Sequence, residues 1–394
     1  MAWKPANEAG YIAAYMAGAT DDELARLHAT TFDKARHFTR KLVSTGAVPK
    51  RGEFTPVEIP ESAKTVSQLE MNLLALLKKS KTAIPVSNLA NSLDCSPKRV
   101  EEMIAKLGAN NYLVEQAGEH VQFAEPMIGE RSVRQTEYLD DSRVFTFAVA
   151  TDAHICSKYH RADALNTFYD ICEQEGITTV FDCGNQIDGE ARFNKQDLLV
   201  HGMGNQFNYW AKHYPKREGI TTYFVSGDDH EGWYQQREGI NVGKHMEFTA
   251  RDLGRDDLVF LGYMEHDVEF QTPEGGKTIV RVQHPGGGSA YALSYTPQKI
   301  VESRTGGEKP HICLLGHYHK HGYFFIRNVH TLLCGCFQDQ TPFMRKKRLA
   351  AHVGGVICKV HQAPDGSVLR FTHTFVPFYD NRETKENWAY KFDG

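Results

Sequence analysis

Five short blocks of acid, amide and imidazole residues follow one another along this chain. They are Asp152-Ala153-His154, Gly184-Asn185-Gln186-Ile187-Asp188, Asp228-Asp229-His230-Glu231, His284, and Gly316-His317-Tyr318-His319. Carboxylates and imidazoles are ligands for divalent cations, and side chains converging from five loops suit two such ions side by side. Two ions so placed clamp the oxygens of an in-line phosphoryl displacement. The chemistry implied is hydrolysis of a phosphoester.

Strands must present these residues. Val144-Phe145-Thr146-Phe147-Ala148-Val149-Ala150 is a near-continuous apolar run, the pattern of a strand buried on both faces. Ligands gather beyond the carboxyl ends of such strands, where Asp152 and His154 share one side of an extended backbone. The arrangement recurs. Val180-Phe181-Asp182-Cys183 leads to Asn185 and Asp188, Tyr223-Phe224-Val225-Ser226 to Asp229 and His230, and Ile312-Cys313-Leu314-Leu315 to His317 and His319. His284 precedes Pro285-Gly286-Gly287-Gly288, whose glycines allow a close backbone approach to a phosphate. Helices are expected over His160–Glu175 and Asn194–His213, and strands dominate from about Val259 onward. The expected class is α/β, a two-sheet sandwich under covering helices over residues 140–380, with a tail at 381–394.

In this order the five blocks resemble the calcineurin-like metallophosphoesterase family, over about residues 144–375. The resemblance implies that Asp152, His154, Asn185 and His319 hold one metal and that Asn185, Asp229, His284 and His317 hold a second. It gives His230 the task of assisting the leaving oxygen, with Glu231 placed to orient it. Asp188 reads as a partner behind the ligands. The implied cofactors are two divalent cations, manganese first, with magnesium, iron or zinc as alternatives. Water activated by them attacks phosphorus in line. Two positions depart from the family pattern, because the shared acid is Asn185 here and the usual amide is Asp229. The exchange keeps the number of carboxylates while moving the anion from the shared position to one metal. Either both ions still bind or one is weak. Gly227-Asp228-Asp229-His230 also leaves open a one-residue shift that would make Asp228 the ligand.

Ahead of this domain the pattern is helical. Residues 1–51 read as a helix-turn-helix-like unit, with helices over Tyr11–Ala17, Asp21–His28 and Phe32–Val43. In the last of these Lys34, Arg36, Arg40 and Lys41 face only Asp33. A linker at 52–64 leads to a winged-helix-like unit at 65–130, with helices over Val66–Lys78, Val86–Leu93 and Ser96–Leu107 and a hairpin turning at Ala117-Gly118-Glu119. Its third helix carries Lys98 and Arg99. Together with the run Arg345-Lys346-Lys347-Arg348 and the aromatics Phe207, Tyr209, Trp210, Trp233 and Tyr234, these suit a DNA strand. Basic groups meet backbone phosphates, and rings stack on bases. The reading is a DNA nuclease resembling the repair nucleases of that family. The alternatives are a phosphatase or cyclic-nucleotide phosphodiesterase with protein-contact modules, or a DNA-binding protein with an attenuated phosphoesterase domain.

A net charge of −4 over 394 residues excludes a chain coated in base. No apolar segment approaches the roughly 18 residues needed to cross a bilayer. Eight cysteines without a Cys-x-x-Cys pair suit reduced thiols and a cytoplasmic location. Self-association is left open.

Overall fold

The computed structural model describes Leu24 and residues 32–44, 66–124, 128–138, 141–288 and 290–378. The chain divides into two compact units, Met1–Gln68 and Leu69–Gly394. In the first, helix α1 (Phe32–Ser44) buries Ala35, Phe38 and Leu42, spaced three and four apart on one face. Lys34, Arg40 and Lys41 are exposed on it. The expected helices Tyr11–Ala17 and Asp21–His28, apart from Leu24, lie outside the described residues, as do the side chain of Arg36, the linker at 52–64 and the tail at 381–394.

The second unit opens with a small subdomain of α2 (Gln68–Lys79), β1 (Ile84–Pro85), α3 (Val86–Ser92), α4 (Pro97–Ala109), β2 (Val114–Ala117) and β3 (His120–Phe123). Its strands pair in the order β1-β3-β2. Leu73, Leu77, Leu89, Val100, Met103, Leu107 and Val121 are buried in it. Ser96 caps α4 by accepting the Arg99 N–H, with Pro97 at the first helical position.

Every later strand named among the described residues belongs to one large sheet. Its strands are β4 (Ile128–Gln135), β5 (Val144–Val149), β6 (Thr179–Asp182), β7 (Thr221–Ser226), β8 (Leu258–Gln271), β9 (Lys277–Gln283), β10 (Ile312–Leu315), β11 (His321–Ile326), β12 (Val329–Cys334), β13 (Gly354–Gln362) and β14 (Val368–Pro377). The order is β11-β12-β10-β9-β8-β7-β6-β5-β13-β14, with β4 paired to β8. Two expectations change here. Residues 128–135 join this sheet as a strand, although the sequence placed the start of that stretch in the winged-helix-like unit. The two sheets expected are also hydrogen-bonded into one, because β8 serves both halves. Its first part pairs with β7 and its second with β9. Met264, at φ +62°, marks the change between them. One cluster nevertheless draws Phe147, Phe181 and Val225 from the β5–β7 side together with Val280, Leu314 and Leu332 from the β9–β12 side, so the halves pack face to face.

The other face of β5–β7 is covered by α5 (Ala162–Gln174), α6 (Met203–His213), α7 (Glu231–Glu238) and α8 (Val242–Asp252), around Phe168, Trp210, Tyr234 and Met246. The helix expected over Asn194–His213 begins only at Met203, after a 3-10 turn at Lys195–Asp197 and Gly202 at φ +84°. Two short helices, α9 (Tyr295–Glu302) and α10 (Pro342–Lys347), complete the unit. No helix among the described residues is long and apolar enough to cross a membrane.

Helix α8 lies against β8 at Gly243, where an added Cβ would stand 2.0 Å from the Phe260 ring. Gly243→Ala is expected to destabilise the protein by about 1–3 kcal/mol through overpacking. An unfolding free energy from urea denaturation within about 0.5 kcal/mol of the parent would show that the helix can slide without loss.

Candidate metal centre

Strands β5, β6 and β7 are mutually parallel, as are β9 and β10, and each ends at a ligand block. The loops that follow turn sharply. Asp152, His154, Asn185, His230, His317 and His319 all have φ between +47° and +71°, the left-handed region. A non-glycine residue there costs on the order of 1 kcal/mol or more, so neighbouring bonds must hold it. The Asp152 N–H donates to the Gly184 carbonyl at 3.1 Å, the His154 N–H to the Asn185 carbonyl at 2.9 Å, and the His317 N–H to the Asp152 carboxylate at 2.9 Å. The kink in β8 contributes too, because the Met264 carbonyl accepts the His284 N–H at 2.7 Å.

Two trios of ligand atoms result. In the first, His319 Nε2 stands 3.0 Å from His154 Nε2 and 3.5 Å from Asp152 Oδ1, and His154 Nε2 is 4.0 Å from the same oxygen. In the second, Asp229 places Oδ1 3.1 Å from His284 Nε2 and Oδ2 3.4 Å from His317 Nδ1. Ligands on one cation with bonds of about 2.1 Å are separated by roughly 3.0–3.4 Å in octahedral or tetrahedral arrangements. Each trio therefore has nearly the spacing of a half-completed coordination shell.

Asn185 adds a seventh group. It is 1% exposed, and its Oδ1 has no hydrogen-bond partner. That oxygen and His284 Nε2 each lie 3.0 Å from the point a Cβ on Gly227 would occupy, so only glycine fits there. A buried carbonyl oxygen with nothing to accept is a standing desolvation cost, and a cation beside it removes that cost. His317 Nδ1 has no partner besides the Asp229 carboxylate 3.4 Å away, while its Nε2–H donates to the Gly287 carbonyl at 2.5 Å. The residues present fit two divalent cations.

On His154 and His284 the remaining imidazole nitrogen is anchored, which selects the ligating atom. His284 Nδ1–H donates to the Cys183 carbonyl at 2.7 Å, and His154 Nδ1–H to Asp188 Oδ1 at 2.9 Å. Asp188 also falls in a third group with His154 and His230. His154 cannot serve both that group and the first trio from one nitrogen, so Asp188 braces it. Burial pushes the Asp188 carboxyl up to about 6. Burial raises Asp229 as well, yet His284 and His317 together hold it well below the usual carboxylate range. The His284 imidazole, which burial alone would lower, is carried up to about 9 by Asp229.

Two roles differ from those expected. Glu231 does not touch His230; its Oε1 accepts the N–H groups of Asn185 and Gly227, both at 2.9 Å, and ties two ligand loops together. His230 is oriented by Asp188 instead, whose carbonyl accepts its Nδ1–H at 2.9 Å. The bond works because Gly189 lets the chain pass the His230 carbonyl, where a Cβ would lie at 2.2 Å. The one-residue ambiguity falls to Asp229, since Asp228 is in none of the three groups and its carboxylate lies against Gly286. His160, His321 and His330 are outside these groups too.

A cavity of about 370 Å³ opens above the trios, with His154, Asn185, Asp229, His317 and His319 in its floor. Of the aromatics singled out in the sequence, Phe207, Trp210 and Tyr234 are core, and Tyr209 packs on His213. Only Trp233 reaches the cavity, beside Phe193 and Phe343, which the sequence reading missed. Arg345, Lys346, Lys347 and Arg348 are exposed at the helix that supplies Phe343 and Met344 to the wall. Lys98 and Arg99 are exposed on α4 of the small subdomain, and Arg99 pairs with Glu102 at 3.1 Å.

No family model and no curated protein matches the sequence. Solved structures similar to the chain include an archaeal phosphodiesterase, at 10% identity over 59% of this chain and 100% of that one, with a TM-score of 0.30. A predicted phosphoesterase from Streptococcus pneumoniae aligns at 14% identity over 59% and 98%, with a TM-score of 0.27. A putative 5′-nucleotidase from Staphylococcus aureus aligns at 10% identity over 60% and 55%, with a TM-score of 0.37. At these values the likeness decides nothing about chemistry; the side chains must.

Asp188→Ala is expected to lower manganese affinity about 10- to 100-fold by freeing the His154 ring, measured by calorimetric titration. Unchanged affinity would mean that His154 needs no anchor. Because a proton on His284 competes with a cation, affinity should rise from neutral pH toward about 9. A flat pH profile would remove His284 from the ligand set.

Proposed function

We propose that this protein is a divalent-metal-dependent phosphoesterase of the calcineurin-like type that hydrolyses phosphodiester bonds, with DNA as its substrate. The observation that carries the reading is the pair of trios, Asp152/His154/His319 and Asp229/His284/His317, beside the unpartnered Asn185 Oδ1. Two divalent cations there supply charge to offset the phosphoryl oxygens and a water acidic enough to attack phosphorus at neutral pH.

The chain's own residues do the rest. Asn185 presents a neutral oxygen to the centre, so the second carboxylate is Asp229 within its own trio. His230, with Nδ1–H anchored on the Asp188 carbonyl, lines the cavity and keeps Nε2 for the proton passed to the leaving oxygen. Glu231 fixes the Asn185 and Gly227 loops from behind, holding ligand spacing constant. The exposed run Arg345–Arg348 beside the cavity wall favours a polyanionic substrate over a small neutral one, which is the support for DNA.

His230→Asn is expected to lower kcat about 10²- to 10⁴-fold on labelled single-stranded DNA with manganese, while metal content stays at two ions per chain. Cleavage of an aryl phosphodiester but of no DNA would defeat the DNA assignment. One tightly held ion per chain after dialysis, rising to two in Asn185→Asp, would defeat the two-ion centre as it stands.

A further inference from the structure

We propose that Phe193, Trp233 and Phe343 form a stacking platform for the nucleobase next to the scissile phosphate, which makes the substrate a nucleoside phosphodiester; this rests on the phosphoesterase reading and names its substrate class. Large apolar side chains at a surface favour burial by about 25 cal/mol per Å², yet Phe193 is 66% and Phe343 52% exposed. They are not scattered. Phe193 meets Trp233 edge-on at 5.4 Å between ring centroids and Phe343 at 6.1 Å with a tilt of 34°. Trp233 in turn lies against His230 at 4.6 Å. A continuous row of rings thus runs outward from His230 along the cavity wall.

Three separate elements build this row: the loop before the Lys195–Asp197 turn, helix α7 and helix α10. No single stretch of core explains their meeting. All three rings line the cavity whose floor is lined by His154 and His319 of one trio and Asp229 and His317 of the other, and about 370 Å³ is the scale of a pocket for a small organic ligand. Charge is arranged around them in a matching way. Arg192 is exposed next to Phe193, and Arg345, Lys346 and Lys347 are exposed next to Phe343. A floor suited to phosphate, a wall suited to a flat π system and a cationic rim together describe a nucleotide unit with a further phosphate beyond it. An alkyl phosphate or a phosphorylated side chain uses the floor but leaves the rings bare.

The test compares two diesters with the same p-nitrophenolate leaving group, the p-nitrophenyl ester of thymidine 5′-phosphate and methyl p-nitrophenyl phosphate, on the manganese-loaded full chain. The nucleoside ester is expected to have a kcat/KM at least about 10-fold higher, mostly through KM. Phe193→Ala with Phe343→Ala should bring the two esters within about 2-fold of each other, while Phe343→Tyr, which keeps a ring, preserves the preference. Metal content and the circular dichroism spectrum of each variant establish that it is folded. Equal rates on the two esters in the parent protein would overturn the platform, as would a preference unchanged in the double alanine variant. If neither ester reacts, the phosphoesterase reading falls. The platform is then decided by quenching of tryptophan fluorescence with thymidine 5′-monophosphate: loss of that quenching in the double variant supports it, and its absence in the parent overturns it.

Discussion

Four imidazoles, two carboxylates and an amide share one buried volume, and the rest of the structure is arranged around the electrostatic strain of keeping them there. Groups of this kind resist removal from water unless each polar atom finds a partner. Here three of the four imidazoles have the second ring nitrogen satisfied by the protein: Asp188 under His154, the Cys183 carbonyl under His284, the Gly287 carbonyl under His317. The inward-facing atoms are left to each other, and Asn185 Oδ1 to nothing. Six left-handed backbone conformations at the same loops are part of this arrangement. Such strain persists only where the surrounding sheet over-determines it, and here parallel strands ending at one level do so.

The centre is legible in the sequence because its signal is local. Four of the five ligand blocks directly follow a buried apolar run, so the strand and the residue it delivers can be read within about ten positions of each other, while His284 follows the alternating Val280-Arg281-Val282-Gln283. What depends on distant partners is not legible. Glu231 looks like a companion of its neighbour His230, but its carboxylate reaches loops at Asn185 and Gly227. The role of Asp188 toward His230 runs through a backbone carbonyl, which no residue type announces. Phe193 and Phe343 are 150 positions apart, isolated in polar surroundings, and only the fold brings them together. Phe207 and Trp210, by contrast, sit three apart on one face of a helix, the ordinary spacing of core residues, and core is what they are.

The sheet shows the same division. Its strands can be found from alternation and apolar runs, whereas its continuity turns on β8, a fourteen-residue strand that changes partners at Met264. Nothing in the local pattern distinguishes one bent strand from two. That bend also brings a backbone carbonyl to His284, so a feature invisible in the sequence supports a ligand that is visible in it.

The small subdomain holds the far end of the helix that begins beside His230. Lys78 Nζ donates to the Arg237 carbonyl at 2.7 Å, and the Leu113 N–H donates to the Gly239 carbonyl at 2.8 Å, so the C-terminus of α7 is capped by residues from outside the large sheet. Helix α7 is eight residues long, with the cavity at one end and this seam at the other. A rod so short has no slack. The subdomain therefore braces the far end of the helix whose first turn carries the cavity-lining Trp233, so a shift of the Lys78 or Leu113 backbone is passed to the cavity wall through about two turns of helix.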